Sequence, residues 1–513
     1  MRDIWNSCMP TSAPPNLDPE DWPAFRAASR RALDDMIDFL QTVRARPVWQ
    51  QAPAEVVREF RQPLPAAPQS LDEVLADFSS LVRPYATGNL HPLFMGWVHG
   101  AGTPVGMIAE MLAAGLNANC GGRNHIALDV ERQIAAWAAQ LFELPPDASG
   151  LFVTGTSAAN HLALLVARTA ALGDDVRAAG LRGAGPQLVA YTSAEAHGCI
   201  KQAMEMAGIG SRFLRLIPVD HRGAMRADCL AVAIAADRAG GLRPFMVAGT
   251  AGTVNSGAFD DLDALAEICR REKLWFHVDG AFGALVALSD SLRPLVRGIA
   301  RADSIAFDFH KWAHVPYDAG FLLVRDAELH RRTFSNPAAY LHRAPSGLAA
   351  GEVWPCDLGP DLSRGFRALK TWFTFRVHGT DKIGACIEHT CRVAKYLETR
   401  LIEQSSLFEI AAPVTLNIVC FGLRMPADGE LNKAIAIDLQ ERGVAAPSTT
   451  IIGGRTVIRA AIVNHRTTEQ DIDTLMAALR DSALRVTLAH MRRTDETAPA
   501  AVAAAAGLDH RQV

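Results

Sequence analysis

Short apolar runs alternate with amphipathic helical stretches from residue 91 to residue 376, and no other feature constrains the fold as strongly. The runs are apolar on both faces, as in strands buried inside a parallel sheet. Between two of them, Leu262, Leu265 and Cys269 mark one face of a helix. This alternation predicts an α/β domain over 91–376, with a mostly parallel sheet and helices on both faces. The predicted strands are 151–153, 187–191, 244–248, 274–278 and 304–307.

The N-terminal part of the chain has a different pattern. Residues 18–46 carry apolar side chains at helical spacings of three and four, and a proline-rich connector leads to a second helical stretch from Leu71. This segment is too thin to enclose a core. We therefore predict an N-terminal helical arm over 1–90 that packs on something larger.

The pattern changes again after residue 376. A long helix precedes strand-like segments at 416–423 and 456–463, which predict a small α+β domain over 377–490. The last segment, 491–513, is rich in alanine and polar residues, and we predict that it is disordered.

Composition excludes several classes of function. The net charge of −4, without a long basic run, argues against nucleic acid as a partner. No stretch of about 20 residues is continuously apolar, and the first residues do not resemble a secretory signal, so we expect no membrane association. Nine dispersed cysteines without a CxxC pair favour reduced thiols over disulfides or a metal site. We predict a cytoplasmic protein without a bound metal.

A lysine follows the last predicted strand of the α/β region, in the segment Asp308-Phe309-His310-Lys311-Trp312. Burial favours the neutral form of a lysine amine, and a neutral amine can form a Schiff base. Read alone, the segment is also compatible with an ordinary loop end. We interpret Lys311 as a candidate for covalent chemistry.

An acid ends the preceding predicted strand, at Val278-Asp279-Gly280. Ligands of open α/β sheets bind beyond the carboxyl ends of the strands. There Asp279 can pair with a protonated ring nitrogen, as in pyridoxal 5'-phosphate (PLP), and keep that ring electron-withdrawing. Read alone, the segment favours a helix N-cap for Asp279 over this role.

Two further signals follow predicted strands. Thr154-Gly155-Thr156-Ser157 opens a helix, where backbone N–H groups, the helix dipole and two hydroxyls can hold a phosphate. His197 follows the run 187–191, where an imidazole can stack on a flat ring or simply stabilise a loop. Because all these segments lie at carboxyl ends of strands, they can converge on one PLP site.

These segments resemble the group II PLP-dependent amino acid decarboxylases, the family of aromatic amino acid, histidine and glutamate decarboxylases. Residues 276–283, Phe-His-Val-Asp-Gly-Ala-Phe-Gly, are similar to the family's HVDAAYGG. Residues 302–312 are similar to its ADS…HKW, and residues 364–372 to its RRFRALKxW. The resemblance covers about residues 20–480. It implies the PLP-dependent transferase-like fold type I and a homodimer with active sites at the subunit interface.

The resemblance also implies roles for single residues. Lys311 would carry PLP as a Schiff base, Asp279 would face its pyridine nitrogen and His197 would stack on its ring. Thr253 matches a position beside the ring hydroxyl and His197. The residues implied around the phosphate are Gly155, Thr156, Ser157, Asp308 and His310, and those implied on the side of the substrate are His91, Trp97 and His99.

The predicted substrate segment, 93–100, is less aromatic than in the family. Trp97 can stack on a ring, whereas His99 and Arg123 can meet a polar or acidic side chain. Arg123 can also simply pair with Asp129 or Glu131 nearby. We expect an L-amino acid, aromatic or related, as the substrate.

The family's decarboxylases carry a tyrosine, on a loop before the RRFRALK segment, that protonates the carbanion left by CO2. Here Tyr340 lies too early, and residues 345–360 offer Glu352, Trp354, Cys356 and Asp357 instead. In relatives, loss of that tyrosine is linked to oxidative decarboxylation and an aldehyde product. We expect an amine and CO2 as products, and the aldehyde route and transamination stay open. A non-enzymatic relative is disfavoured because Lys311, Asp279 and His197 are all present.

Overall fold

The structure, a computed structural model, describes residues 16–183, 185–336, 342–351, 353–424 and 429–505, with side chains through 491. The chain divides into two compact units. The described part of the first unit comprises residues 16–45 and 51–86, and the second comprises residues 46–50 and the chain from residue 87 onwards.

The first unit is helical, as predicted for the N-terminal arm. Its helices are α1 (Trp22–Gln41), α2 (Ala54–Glu59) and α3 (Leu71–Asp77). Asp21 begins α1 by accepting a hydrogen bond from the amide of Ala24, and Ser70 begins α3 in a reciprocal capping pair with Glu73. Many apolar side chains remain exposed in this unit, among them Trp22, Phe25, Phe60, Leu64, Leu71, Val74 and Phe78.

A seven-stranded sheet forms the centre of the second unit, with strand order β2-β8-β7-β6-β5-β3-β4. All neighbouring pairs are parallel except those of β8, which runs antiparallel to β7 and β2. Each of the five predicted strands overlaps one of these, and the mostly parallel α/β fold is confirmed. The strands are β2 (Ser149–Val153), β3 (Leu188–Ser193), β4 (Leu214–Ile217), β5 (Arg243–Thr250), β6 (Trp275–Asp279), β7 (Ser304–Asp308) and β8 (Gly320–Val324).

Helices surround this sheet and enclose an apolar core. The interior strands are buried along most of their length, which explains their apolar sequences. The helices are α4 (Pro104–Leu116), α5 (Ile126–Leu141), α6 (Thr156–Leu172), α7 (Val176–Ala179), α8 (Cys199–Met206), α9 (Ala227–Ala239), α10 (Leu262–Glu272), α11 (Phe309–Trp312) and α12 (Ala327–Phe334).

A second sheet has the strand order β1-β11-β12-β10-β9. Its strands are β1 (Phe94–Met95), β9 (Phe408–Ile410), β10 (Ile418–Leu423), β11 (Ala446–Ile452) and β12 (Arg455–Ala461), and its helices are α13 (Arg367–Glu403), α14 (Glu430–Glu441) and α15 (Glu469–Ala505). The predicted strand-like segments correspond to β10 and β12. Sequence periodicity misses β1, because two residues show no alternation; this strand joins the predicted substrate segment to the C-terminal sheet.

The boundary between the predicted large and small domains falls near a break in α13. Gly379 has a φ of 72°, a left-handed conformation that interrupts the helical backbone. At the other end, α15 continues through Ala505, into the segment predicted to be disordered; residues 506–513 lie outside the described residues. The domain limits stay predictions.

Candidate active site

The candidate site lies at the carboxyl ends of β3, β5, β6 and β7 and at the start of α6. Lys311 belongs to α11, the single helical turn that follows β7. Its side chain is 22% exposed, and its Nζ lies 2.8 Å from Oδ2 of Asp308. The side chain of the lysine is thus partly exposed, with its amine held by a buried carboxylate.

The start of α6 has the features that a phosphate requires. Oγ1 of Thr156 is buried and has no hydrogen-bond partner among the described residues. A Cβ on Gly155 would lie 3.8 Å from both Oδ1 of Asp308 and Cε1 of His310, so the glycine keeps this space open. Ser157 is exposed at the same helix start. An unpartnered hydroxyl, an open space and a helix N-terminus together fit the phosphate group of PLP.

His310 faces the same space as a neutral donor. The amide of Ala319 donates to its Nδ1 at 2.9 Å, so the ring proton lies on Nε2, 3.7 Å from Oδ2 of Asp308. Burial lowers the pKa of His310 to about 4. Asp308 itself accepts from the amide of Thr156 at 2.7 Å and offers no donor. Its implied place beside the phosphate stays a prediction, whereas its contact with Lys311 is direct.

Asp279 is the buried acid at the end of β6. Burial raises the pKa of Asp279, while the nearby charges of Lys311 and His197 lower it. The amide of Ala281 donates to Oδ1 at 3.2 Å, and Nδ2 of Asn160 donates to Oδ2 at 3.0 Å. These donors orient the carboxylate at the edge where the strand ends.

His197 and Thr253 complete what we call the cofactor side, defined by Thr156, His197, Thr253, Asp279, His310 and Lys311. The imidazole of His197 is exposed, and its Nδ1 accepts from the amide of Cys199 at 3.2 Å. Thr253 is fully buried; its hydroxyl accepts from the amide of Ala258 at 3.0 Å and contacts Ser256. The structure therefore gathers these residues at one edge, and their roles stay predictions.

Four aromatic rings form what we call the substrate side: Phe94, Trp97, His99 and Tyr317. His99 stacks against both Phe94 and Trp97, with its ring centroid 5.7 Å from each, and the centroids of Phe94 and Trp97 lie 6.3 Å apart. His99 also meets the edge of Tyr317 at 6.1 Å. Burial, and then the charge of Lys311, lower the pKa of His99. The aromatic rings therefore lie next to the lysine.

The backbone of residues 93–100 is held in place at Trp97 and at Gly100. Trp97 itself has a left-handed φ of 51°, and the buried guanidinium of Arg459 donates to its carbonyl at 3.0 Å. A Cβ on Gly100 would lie 2.0 Å from the carbonyl oxygen of His310 and 2.4 Å from that of Lys311. Only glycine permits this close approach, which places the substrate side directly against the lysine turn.

Two residues singled out for the substrate have other contacts. His91 is buried, and its Nδ1 accepts from the amide of Leu93 at 3.1 Å within the turn before β1. The guanidinium of Arg123 lies 4.9 Å from the ring centroid of Trp354. Neither nearby acid is its partner, since Asp129 pairs with Arg132 and Glu131 with Arg364.

Within residues 345–360, the positions that the structure describes contribute packing rather than an exposed acid. Trp354 is 1% exposed, and its indole N–H donates to the carbonyl of Ala350 at 3.2 Å. Burial raises the pKa of Cys356. Tyr340 and Glu352 lie outside the described residues.

Sequence reasoning missed two residues of the site. Tyr317 follows the lysine turn, and its ring centroid lies 4.3 Å from that of His310. Asn160 lies inside α6, and its side-chain amide donates to the carboxylate of Asp279 at the end of β6. A tyrosine six positions after Lys311 is visible in the sequence, whereas nothing in the sequence distinguishes Asn160 from other helical asparagines.

Comparison with known proteins identifies the family. The sequence profile described as "Pyridoxal-dependent decarboxylase conserved domain" matches residues 53–424, which is more than half of the chain. The chain belongs to the pyridoxal-dependent decarboxylases. It is therefore a PLP-dependent carboxy-lyase that acts on an amino acid, and the predicted cofactor and enzyme class are confirmed.

Individual relatives are similar over nearly their whole length. An aromatic-L-amino-acid decarboxylase of Bacillus atrophaeus is 31% identical, with 91% of this chain and 97% of the relative covered. The crystal structure of Oryza sativa TDC with PLP and tryptamine has a TM-score of 0.84 at 26% identity, covering 92% and 99%. The structure of Rhodiola rosea 4-hydroxyphenylacetaldehyde synthase has a TM-score of 0.81 at 25% identity, covering 91% and 99%.

Within the part of the chain that the structure describes, no helix has the length and apolar character needed to cross a membrane.

Proposed function

We propose that this enzyme decarboxylates an aromatic L-amino acid and releases the amine and CO2. The observation that carries the proposal is the aromatic substrate side next to Lys311. Trp97 and Tyr317 are about half exposed, at 56% and 48%, so both rings can contact the flat side chain of a substrate. The 31% identity to an aromatic-L-amino-acid decarboxylase supports the same substrate class.

The residues of the cofactor side would hold PLP and orient the amino acid. Bound PLP supplies a ring that withdraws the electron pair left behind when CO2 departs. Lys311 would bind its aldehyde carbon, and Asp279 would keep the proton on its ring nitrogen. Thr156 and His310 would donate to the phosphate, and His197 would cover one face of the ring.

A proton must replace the carboxylate if the product is an amine, and Tyr317 is our proposed donor. Burial raises the pKa of Tyr317 to about 12, so the phenol keeps its proton at neutral pH. The hydroxyl lies next to the amide of Gly100, the glycine that packs against the carbonyl of Lys311. This position makes Tyr317 a substitute for the loop tyrosine, which is absent from residues 342–376.

Oxidative decarboxylation to an aldehyde is the second candidate. It is favoured by that same absence of a tyrosine and by the similarity to the Rhodiola rosea 4-hydroxyphenylacetaldehyde synthase. The two routes differ in their use of O2: slow protonation of the carbanion gives O2 time to react. Assays in air and under nitrogen separate them, because only the aldehyde route forms peroxide and ammonia.

The experiment that tests the proposal incubates the PLP-loaded enzyme with each of the twenty L-amino acids. CO2, amine, ammonia and peroxide are measured in every reaction. We expect an aromatic amino acid to react fastest, with one amine released per CO2. Turnover of acidic amino acids alone would contradict the proposed substrate, and ammonia equal to CO2 would contradict the proposed product.

We also propose that the chain forms a homodimer in which the N-terminal arm contacts a second copy. The exposed apolar side chains of the first unit, such as Trp22, Phe25 and Phe60, support a covering partner. Sedimentation of the full chain should give twice the mass of one chain. A soluble and active monomer after deletion of residues 1–86 would contradict this assembly.

A further inference from the structure

Five polar side chains form a continuous line of hydrogen bonds behind the cofactor side. Trp275, His277 and Asp279 alternate along β6 and point to one face of the sheet. Nε1 of Trp275 lies 2.8 Å from Oγ of Ser304, which lies 2.8 Å from Nδ1 of His277. Nε2 of His277 lies 2.7 Å from Oδ1 of Asn160, whose Nδ2 lies 3.0 Å from Oδ2 of Asp279. The line ends on the carboxylate.

Chemistry fixes the direction of every bond in this line. The amide N–H of Asn160 donates to Asp279, which leaves the amide oxygen of Asn160 to accept the Nε2 proton of His277. Burial lowers the pKa of His277 to about 3, so the ring is neutral and its Nδ1 accepts the hydroxyl proton of Ser304. That hydroxyl accepts in turn from the indole N–H of Trp275, which can only donate. All the bond dipoles point towards the carboxylate and stabilise its negative charge.

We infer that Asn160, His277 and Ser304 are positioning residues that keep the Asp279 carboxylate ionised and aimed at the ring nitrogen of PLP. The inference rests on the proposed assignment of Asp279 to that nitrogen. Asn160 occupies one lone pair of Oδ2, and the amide of Ala281 occupies one of Oδ1. The carboxylate keeps further lone pairs for a ring N–H.

A role in packing alone explains this line less well. Strands buried on both faces are normally apolar, and the polar atoms of His277, Ser304 and Asn160 must each be paired to be tolerated there. Cys199 adds to the convergence, because its Sγ lies 3.1 Å from Nδ2 of Asn160 and 3.9 Å from Oδ2 of Asp279. Burial raises the pKa of Cys199 to about 12, so it remains a neutral thiol. The contacts thus converge on a single carboxylate oxygen.

The test compares how tightly the apoprotein binds PLP and 1-deazapyridoxal 5'-phosphate, in which carbon replaces the ring nitrogen. Equilibrium dialysis gives both dissociation constants, and their ratio reports the contact with the nitrogen. Asn160→Leu, His277→Phe and Ser304→Ala break the line at increasing distance from Asp279. His330→Phe is the matched control, because His330 is fully buried and its Nδ1 lies 2.6 Å from Oγ of Ser149, outside the line.

The wild-type protein should prefer PLP over the analogue by roughly a hundredfold, as for a charge-assisted hydrogen bond. Asn160→Leu should reduce this preference most and His277→Phe to roughly tenfold, with Ser304→Ala reducing it least. Affinity for the analogue should change little in these variants, because Lys311 and the phosphate contacts remain. His330→Phe should lower the melting temperature of the apoprotein and leave the preference unchanged.

The outcomes distinguish this inference from the proposed assignment of Asp279 to the ring nitrogen of PLP. If Asp279→Asn abolishes the preference while Asn160→Leu and His277→Phe retain it, the inference is overturned and the assignment stands. If Asp279→Asn retains the preference, the assignment itself is wrong. An equal loss in His330→Phe would indicate general loosening and would also overturn the inference. Should His277→Phe not fold, Ser304→Ala and the distal Trp275→Phe decide the question.

Discussion

The cofactor side and the substrate side adjoin at Lys311, yet they are built in opposite ways. On the cofactor side, Asp279 and His310 are nearly inaccessible to solvent and lie where strands end, each held by hydrogen bonds to the backbone. On the substrate side, Trp97 and Tyr317 are half exposed and belong to irregular segments. Their main contacts are between rings.

The difference corresponds to two tasks: the cofactor side acts on PLP in every reaction, whereas the substrate side selects the amino acid. Charges that act on PLP must be fixed before it binds, and buried side chains on strands provide that preorganisation. A surface of rings can change its shape with one substitution and leave the strands unaffected. We therefore expect substitutions on the cofactor side to impair any substrate, and substitutions on the substrate side to affect selectivity or product.

Asp279→Asn tests the first half of this comparison and should have the largest effect. Loss of the charge should lower kcat about a hundredfold or more for every substrate. The apoprotein should melt no lower than wild type at neutral pH. Burial raises the pKa of Asp279, so the stability carried by this group is present at acid pH and is lost as pH rises through the raised pKa. Near-normal turnover in a PLP-loaded variant would contradict its role.

Tyr317→Phe tests whether the substrate side controls the product. Removal of the phenol proton should lower the yield of amine per CO2 roughly tenfold in air, with peroxide making up the difference. Tyr396→Phe is the control, since its hydroxyl binds Asp473 at 3.0 Å, away from Lys311. An unchanged yield of amine would exclude Tyr317 as the donor.

Trp97→Leu should act on substrate choice with a smaller effect. Loss of one aromatic contact is worth about 1 kcal/mol, so KM for the preferred aromatic amino acid should rise about fivefold. The value of kcat should change less, because Asp279 and Lys311 are untouched. An equal loss of kcat for aromatic and aliphatic amino acids would mean that Trp97 supports the site as a whole.

The pH dependence of the free energy of unfolding compares one histidine from each side, His310 and His99, and we expect the smallest difference here. Burial lowers the pKa of His310 to about 4, so the stability from its neutral ring is present above about pH 6.5 and is lost as pH falls towards 4. His310→Gln should reduce the slope of this acid loss of stability by at most about 1.4 kcal/mol per pH unit. His99→Gln, at a more exposed ring, should flatten it less. Urea unfolding of the apoprotein at several pH values measures both effects. A larger effect of His99→Gln than of His310→Gln would contradict the conclusion that His310 is the more deeply buried ring.

Sequence reasoning succeeded where a chemical group follows a buried strand. The positions of Lys311 and Asp279 could be predicted because periodicity locates β6 and β7, and because ligands of such sheets bind beyond their carboxyl ends; the roles of both residues stay predictions. The residues of each strand alone show where that strand lies in the sequence. Periodicity also predicted five of the seven strands of the large sheet, but not β4 or β8.

Contacts between distant segments could not be predicted in this way. Asn160 and His277 are 117 positions apart, and only the packing of α6 on β6 brings them together. Tyr317 reaches the substrate side through the path of the backbone after α11, which no local pattern encodes. The resemblance implies that His91 lies on the side of the substrate; its Nδ1 accepts a hydrogen bond in the turn before β1, and its role stays a prediction.

Reductive trapping tests the central claim, that chemistry is organised around Lys311. The PLP-loaded protein is reduced with borohydride, digested, and every lysine-containing peptide is weighed by mass spectrometry. We predict a single pyridoxyl adduct, on Lys311, and loss of the visible absorbance of bound PLP. In Lys311→Ala the adduct should be absent, although the protein still folds. An adduct on another lysine of the wild-type protein, or a reducible adduct retained in Lys311→Ala, would contradict the account.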